Sequence, residues 1–323
     1  MKSSMEKEKY LRNCVIIYFS NKYRLMMGAL LFFLVGALSC SFKKNDLVYF
    51  GQQPPGLTPE IFAPGSISLA DRSEFGSVFN AAANEFYFGI DRDGTSEIWW
   101  SRLESSGEWS APLLLIGGQD YSCNDPFLST DETKLYFISN RSAIGETPKQ
   151  NYDIWYIQRG GSGWDTEMVA LDTAINSPGN EYYMSFTANE SIYFSSNWRA
   201  DKKAMRDFNI YRSDYREGGY QKAQILPQEI NSSSYEADVF ISPDESYMIF
   251  CSIRENGLGE GDLYISFQDA SGNWSDAENL GDKINTPGHE LCPFISRDGK
   301  YFFFTSNRDI YWVDAKVIES FRN

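Results

Sequence analysis

The sequence is poor in the residues that do most catalytic and metal-binding work. It has one histidine, His289, and five cysteines among 323 residues. No Gly-x-Ser-x-Gly motif occurs, which argues against a Ser-His-Asp hydrolase. Beside Cys14 and Cys40, the spacing of the other cysteines matches no zinc site. We therefore predict no catalytic residue, no cofactor and no metal site, and we interpret His289 as part of a linker.

Basic residues are scarce beside acidic ones. The chain holds 29 Lys and Arg against 44 Asp and Glu, a net charge of −15. Residues 1–39 contain six basic and two acidic residues, so the remainder carries a net charge of −19. This acidity argues against nucleic acid or a polybasic membrane contact as partner. Solubility is its simplest role.

Long hydrophobic runs are absent apart from one, Leu25 to Leu38, which has 14 residues. That length is typical of a signal-peptide core and is short for a spanning helix. The run leads to Gly36-Ala37-Leu38-Ser39-Cys40, which resembles a lipoprotein cleavage box, although Leu is usual where Ala37 stands. The resemblance implies a signal peptide over 1–39 and a lipid on Cys40. The alternative is a signal anchor with an incidental cysteine.

What the chain has in abundance is a repeat. A phenylalanine marks the first strand of each copy, at spacings of 48, 59, 54 and 54 residues. An aromatic strand follows, then a polar turn with Arg, then an acidic or amide residue before an aliphatic–aromatic pair. The first-strand phenylalanines are Phe79, Phe127, Phe186, Phe240 and Phe294. A period near 50 residues with four strands per unit predicts an all-β propeller of five four-stranded blades.

The ends of the repeat region predict how the ring closes. The fifth copy has three strands, whereas Pro59 to Gly65 precedes the first copy at the place of a fourth strand. We expect this N-terminal strand to complete the last blade, which removes an open edge. In the last copy, Asp298-Gly299 predicts a two-residue hairpin turn with both residues at positive φ. The predicted boundaries are a tether over 40–58, the propeller over 59–318 and a tail over 319–323.

The motif Phe-x-Ser-x-Asp-Gly-Lys, followed by Tyr-Phe-x-Ser-Asn-Arg and Asp-Ile-Tyr, resembles the TolB-like, WD-like propeller repeat of bacterial envelope proteins. The Ile-Asn-Thr/Ser-Pro-Gly-x-Glu linkers at 175–181 and 284–290 fit it too. The resemblance covers about residues 50–318. It implies the fold and an envelope location, and is nearly uninformative about activity. Ser41 after Cys40 favours the outer membrane, and Lys43 and Lys44 favour the periplasmic side.

One acidic residue stands just before the first strand of each copy. In a propeller these residues are expected near one mouth of the channel. They would form a ring that could bind a divalent cation, or supply acid and base to a glycosidase-like site. Their regularity favours a third role, in which each carboxylate accepts backbone N–H bonds at a blade junction. The residues are Glu74, Asp125, Glu181, Glu236 and Glu290.

Long hairpin loops are expected to crowd one face, and Lys202, Lys203 and Arg206 make a basic island in one of them. Loops on a rigid scaffold often carry binding sites, although a solvated loop is the simpler interpretation. Cys251 and Cys292 lie in neighbouring copies, so a bridge is possible, but buried free thiols are favoured.

The sequence thus predicts a lipid-anchored, non-catalytic propeller that binds an envelope protein or a glycan. The alternative is a glycan hydrolase or lyase that uses carboxylates such as Glu181, Glu236 and Glu290.

Overall fold

The computed structural model describes residues 49–142, 148–161, 163–198 and 207–322. These residues belong to one compact unit, Leu47–Asn323. They form five four-stranded antiparallel blades, each in contact with the next, so the predicted five-bladed propeller is confirmed. The candidate lipidation site Cys40 and the candidate partner residues Lys202, Lys203 and Arg206 lie outside the described residues.

The strands are numbered in chain order, beginning with β1 (Glu60–Ile61). Blade one contains β2 (Ser73–Phe79), β3 (Glu85–Arg92), β4 (Thr95–Arg102) and β5 (Leu113–Ile116). Blade two contains β6 (Cys123–Leu128), β7 (Lys134–Arg141), β8 (Pro148–Gly160) and β10 (Val169–Ala170), with β9 (Gly163–Trp164) beside β8. Blade three contains β11 (Glu181–Phe186), β12 (Ile192–Ser196), β13 (Asn209–Ser213) and β16 (Gln224–Ile225), and carries a ribbon of β14 (Tyr215–Arg216) and β15 (Gly219–Tyr220).

Blade four contains β17 (Tyr235–Ile241), β18 (Tyr247–Ile253), β19 (Asp262–Phe267) and β20 (Glu278–Asn279). Blade five contains β21 (Leu291–Ile295), β22 (Tyr301–Ser306) and β23 (Asp309–Asp314), and β1 is its fourth strand. A short 3-10 helix, Ala315–Phe321, follows. Within the described ranges, no helix is long and apolar enough to cross a membrane.

The N-terminal strand closes the ring, as the repeat count predicted. Glu60 pairs with Trp312 and Ile61 with Tyr311 in an antiparallel register. The following residue, Phe62, is fully buried between blades five and one. Its ring centroid lies 5.1 to 5.8 Å from five other aromatic rings, those of Phe50, Phe79, Phe86, Phe303 and Trp312. The two ends of the propeller therefore share one hydrophobic cluster.

Residues 49–52 of the expected tether also pack on the propeller. Tyr49 is buried and contacts Tyr301 and Trp312 at ring-centroid distances of 4.9 and 5.5 Å. The Gln52 side chain accepts the Ala63 N–H at 2.7 Å and donates to the Ile61 carbonyl at 3.0 Å. This part of the chain holds β1 in place.

The turn between the first and second strands has the same geometry in all five blades. Its fourth residue donates its N–H to the carbonyl of its first residue, and that fourth residue is left-handed. In blade five the pair is Ser296 and Gly299, and Gly299 has a φ of 72°. Asp298 is not left-handed, so the predicted two-residue turn is wrong. The Ser296 side chain accepts the Tyr301 N–H at 3.0 Å, which makes the longer turn the stable one.

Candidate functional site

A β-bulge interrupts the innermost strand of every blade. At or beside each register shift, one residue takes a positive φ between 31° and 53°. These residues are Gly76, Asp125, Tyr183, Asp238 and Cys292. Four of the five are non-glycine residues in a conformation that costs about 1 kcal/mol or more each. A bulge re-aims a side chain, and here it does so once per blade in the strands that surround the axis.

The bulges bring three potential metal ligands together in the channel. One carboxylate oxygen each from Asp125 and Asp238 and the Cys292 sulfur lie within 4.8 Å of one another. The three residues are 7%, 8% and 2% exposed. The Cys292 thiol donates to Asp125 Oδ1 at 3.5 Å. Blades two, four and five thus meet at one buried cluster, which we call the channel cluster.

The two remaining bulge residues complete the surroundings of the channel cluster. A Cβ atom at Gly76 would stand 2.7 Å from Asp125 Oδ1, so only glycine leaves room for that carboxylate. The Tyr183 hydroxyl donates to the Pro293 carbonyl at 2.8 Å and so joins blade three to blade five. Each blade therefore contributes to the same short section of the channel.

Burial dominates the electrostatics of the channel cluster. It raises the pKa of Asp125, although the hydrogen bond from Cys292 opposes the shift. Burial, and after it repulsion from Asp125, raises the pKa of Asp238. Burial also raises the pKa of the Cys292 thiol, and the two carboxylates add to that shift. No basic side chain within the described ranges pairs with either carboxylate. Negative charge at the cluster is therefore disfavoured unless protons or a cation compensate it.

A row of aromatic rings lies beside the channel cluster. Tyr152 contacts Tyr182 at 5.4 Å between ring centroids, and Tyr182 stacks on Phe208 at 4.9 Å. Phe208 contacts Tyr235 at 5.7 Å, and Tyr235 contacts the His289 ring at 6.5 Å. All but Phe208 are partly exposed. Burial, and then the charges of Tyr152, Asp125 and Asp238, raises the pKa of Tyr182, which places the row near the channel cluster. We call these five residues the aromatic mouth.

Four of the five residues in the sequence-predicted acidic ring do share one position. Glu74, Glu181, Glu236 and Glu290 are all fully buried. The structure places the fifth, Asp125, elsewhere. The blade-two counterpart of Glu181 and Glu236 is Cys123, because it pairs with Ser139 as they pair with Ser196 and Ser252.

The four glutamates hold the linkers that join successive blades. In blade five, the Glu290 carboxylate accepts the Thr286 N–H at 2.9 Å, the Thr286 hydroxyl at 2.7 Å and the Ser306 hydroxyl at 2.6 Å. Glu181 accepts the equivalent groups of Ser177 and Ser196. In blade one, Arg72 replaces the serine as the donor to Glu74. These contacts give the carboxylates the backbone-binding role that the regular spacing favoured, with no surface exposed to a substrate.

His289, at one end of the aromatic mouth, also contacts a buried thiol. Its Nε2 atom is 3.3 Å from the Cys251 sulfur, and a Cβ atom at Gly261 would collide with both side chains. Burial lowers the pKa of His289, against the attraction of Glu290 and Glu260. The described cysteines, Cys123, Cys251 and Cys292, are all buried free thiols, as favoured from the sequence. A neutral thiol beside a neutral imidazole is not an activated nucleophile.

The basic island lies outside the described residues, but its flanks are described. Trp198 precedes it and is 37% exposed, and Phe208 of the aromatic mouth follows it. A separate cavity of about 710 Å³ lies between blades three and four, lined in part by Arg212, Ile225 and Trp274. It contains none of the residues of the channel cluster or the aromatic mouth.

Sequence reasoning missed Asp238, Cys292 and Tyr183 as site residues. They stand two or three positions before the first-strand phenylalanines Phe240, Phe294 and Phe186. In blades one and three the bulge residue stands three positions before the phenylalanine, and in the other blades it stands two positions before it, so aligning the repeats on the phenylalanines does not bring the bulge residues together. The sequence therefore has no pattern that marks the bulge.

No family model and no curated protein matches the chain. Among solved structures, TolB from Acinetobacter baumannii is 14% identical with a TM-score of 0.46, and covers 75% of this chain and 54% of its own length. A gluconolactonase from Xanthomonas campestris is 14% identical with a TM-score of 0.42, over 81% of this chain and 97% of that one. The catalytic domain of a GH62 α-L-arabinofuranosidase from Coprinopsis cinerea is 9% identical with a TM-score of 0.46, over 80% and 97%.

At these identities and TM-scores the likeness supports no argument about function. The five-bladed propeller that the TolB-like resemblance implies is confirmed by the blades themselves, and this chain spans about half the length of the Acinetobacter TolB.

Proposed function

We propose that the protein is a non-catalytic binding propeller of the bacterial cell envelope, which takes a protein or glycan partner at its aromatic mouth. The observation that carries this proposal is the contrast between the glutamates and the aromatic mouth. The repeated carboxylates are buried in linker hydrogen bonds, whereas four rings of the mouth remain partly exposed beside them. Tyrosine is enriched among the residues that dominate binding energy at interfaces.

The envelope location rests on the sequence. The basic start, the apolar run from Leu25 to Leu38 and the cysteine at position 40 support a lipid anchor. A lipid on Cys40 would hold the propeller at the outer membrane, facing the periplasm. The basic island of Lys202, Lys203 and Arg206 stands just before Phe208 in the sequence, and it remains a second candidate contact for the partner.

Capture of membrane proteins and a glycan-binding screen with the full chain test this proposal. Tyr182→Ala and Tyr235→Ala are each expected to weaken binding at least about tenfold. Ile225→Ala, in the cavity between blades three and four, is the matched control and should leave binding unchanged. A Lys202/Lys203/Arg206→Ala variant separates the loop from the mouth. Partner binding that survives both tyrosine variants contradicts the proposal.

A second function, glycan hydrolysis or lysis, is favoured by one observation. Asp125 and Asp238 are two carboxylates with oxygens within 4.8 Å of each other, and most enzymes that cleave glycosidic bonds use a pair of carboxyl groups. Asp125→Asn and Asp238→Asn distinguish the two functions. If the unmodified protein cleaves a glycan and the Asn variants lose cleavage but still bind the partner, the protein is an enzyme. If the unmodified protein cleaves no glycan and the variants bind the partner as it does, the result supports a binding module.

A further inference from the structure

We propose that the channel cluster is a zinc-type metal site, in which Asp125, Asp238 and Cys292 are the protein ligands. Three blades supply one donor each, and the donor atoms already lie within 4.8 Å of one another. This inference is independent of the partner that binds at the aromatic mouth.

The donor set selects the metal. Zinc binds cysteine sulfur at about 2.3 Å and carboxylate oxygen at about 2.0–2.2 Å, with tetrahedral geometry. Two such bonds at the tetrahedral angle separate sulfur from oxygen by about 3.5 Å. The Cys292 sulfur and Asp125 Oδ1 are 3.5 Å apart. Calcium and magnesium prefer six or more oxygen ligands and no thiolate.

The surroundings of the three metal-ligand atoms favour a cation between them. Asp125 and Asp238 are more than nine-tenths buried. Their hydrogen-bond donors within the described ranges come from Cys292, whose thiol faces Asp125 and whose N–H faces Asp238. Two ionised carboxylates buried without a basic partner are costly unless they take up protons or a cation joins them. The groups that face the cluster from neighbouring strands are tyrosines and another thiol, which bring no positive charge.

The backbone is built to keep this volume available. Gly76 leaves the space that a Cβ would take from Asp125 Oδ1, and the Gly76 N–H is held by Thr305 Oγ1 at 3.1 Å. Left-handed backbone at Asp125, Asp238 and Cys292 aims all three side chains inward at the expense of strand regularity. Three protein ligands leave a fourth position for water or for a donor from a partner. On binding, the Cys292 thiol and any protonated carboxyl release their protons to the buffer.

The test is a cobalt(II) titration of the full chain after removal of metal with a chelator. Cobalt(II) takes zinc sites, and a thiolate ligand gives it a charge-transfer absorption in the near ultraviolet. We expect this band to saturate at one equivalent and zinc to abolish it by displacement. Absence of the band, or binding of several weak equivalents without it, overturns the proposal without any variant.

Three cysteine variants locate the metal. Cys292→Ser should abolish the band, and Asp238→Asn should lower the affinity for zinc at least about tenfold. Cys123→Ser is the matched control, because that buried thiol hydrogen-bonds to Ser139 and lies outside the cluster. Cys251→Ser tests the neighbouring thiol beside His289. A band that survives Cys292→Ser but disappears with Cys251→Ser would assign the metal to Cys251 and His289 and overturn the proposal.

Discussion

At the scale of single residues, the buried acidic side chains have two different roles. Glu181 satisfies a linker, and it has donors for both carboxylate oxygens. Asp125 and Asp238 instead face each other with few donors, at bulges that point into the channel. Residue type alone did not separate these roles, because both kinds of residue are acids within a first strand. Their position relative to the β-bulge separates the two roles.

Glu181 makes stability depend on pH in a definite direction. Burial raises its pKa to about 7 against the hydrogen bonds from Ser177 and Ser196. Between its unfolded pKa near 4.5 and that value, the folded protein holds a proton that the unfolded chain has lost. The free energy of unfolding therefore falls as pH rises through this window, by about 2 kcal/mol between pH 5.5 and 8.5.

Urea unfolding of wild type and Glu181→Gln at several pH values measures this contribution. The variant should show a decline smaller by about 2 kcal/mol over the same range, whatever its stability at a single pH. The exposed Glu167→Gln is the control, with the wild-type profile expected. Parallel profiles for wild type and Glu181→Gln would contradict the raised pKa.

At the scale of elements, the turn between the first two strands shows which local rules the repeat obeys. The left-handed fourth residue is Ala83, Glu132, Glu190, Glu245 or Gly299, so glycine occurs once in five blades. Two of these glutamates reach the preceding blade: Glu132 contacts the Ala81 N–H, and Glu245 accepts the Tyr193 hydroxyl at 2.7 Å. Two of the four non-glycine residues at this left-handed position therefore also join neighbouring blades through their side chains.

Gly299 has no side chain to contact another blade, so a substitution there measures the strain of the left-handed backbone by itself. A Cβ at Gly299 would meet no atom within 4 Å, and its φ is 72°. Gly299→Ala should therefore destabilise the protein by about 1 kcal/mol through backbone conformation alone. Gly56→Ala, also in open space but at an ordinary φ, is the control and should be neutral or slightly stabilising. Equal free energies of unfolding for the two variants would contradict the assignment.

At the scale of the whole molecule, closure depends on the cluster around Phe62. Because Phe62 is fully buried among four rings of blades five and one, Phe62→Ala should cost about 3–5 kcal/mol. Hydrogen exchange should show the loss first in blades one and five, since these lose their shared contact. Leu57→Ala, at a side chain 54% exposed, should change stability by less than about 0.5 kcal/mol. A uniform rise in exchange over all blades would contradict a local closure.

The fold was predictable because the strand pattern of one blade recurs five times in the sequence. The phenylalanine spacing, the aromatic second strand and the leftover N-terminal segment predict blade number and closure, and β1 pairs with β23 as expected. The channel cluster was not predictable, because it assembles residues 125, 238 and 292 through bulges. A bulge shifts register by one residue without a composition of its own, so pattern reasoning grouped Asp125 with the glutamates. Tertiary geometry, not local sequence, decides which acid enters the channel.

Closure between the two ends also dictates when the protein can finish folding. The partners Glu60 and Trp312 are 252 residues apart in the chain. At a synthesis rate of 5–20 residues per second, β1 is complete roughly 13–50 s before its partner strand exists. Throughout that interval the first blade has no neighbour on one side, and its aromatic strand is open to other chains. Until the last strand appears, the nascent chain therefore cannot complete blade five or cover Phe62.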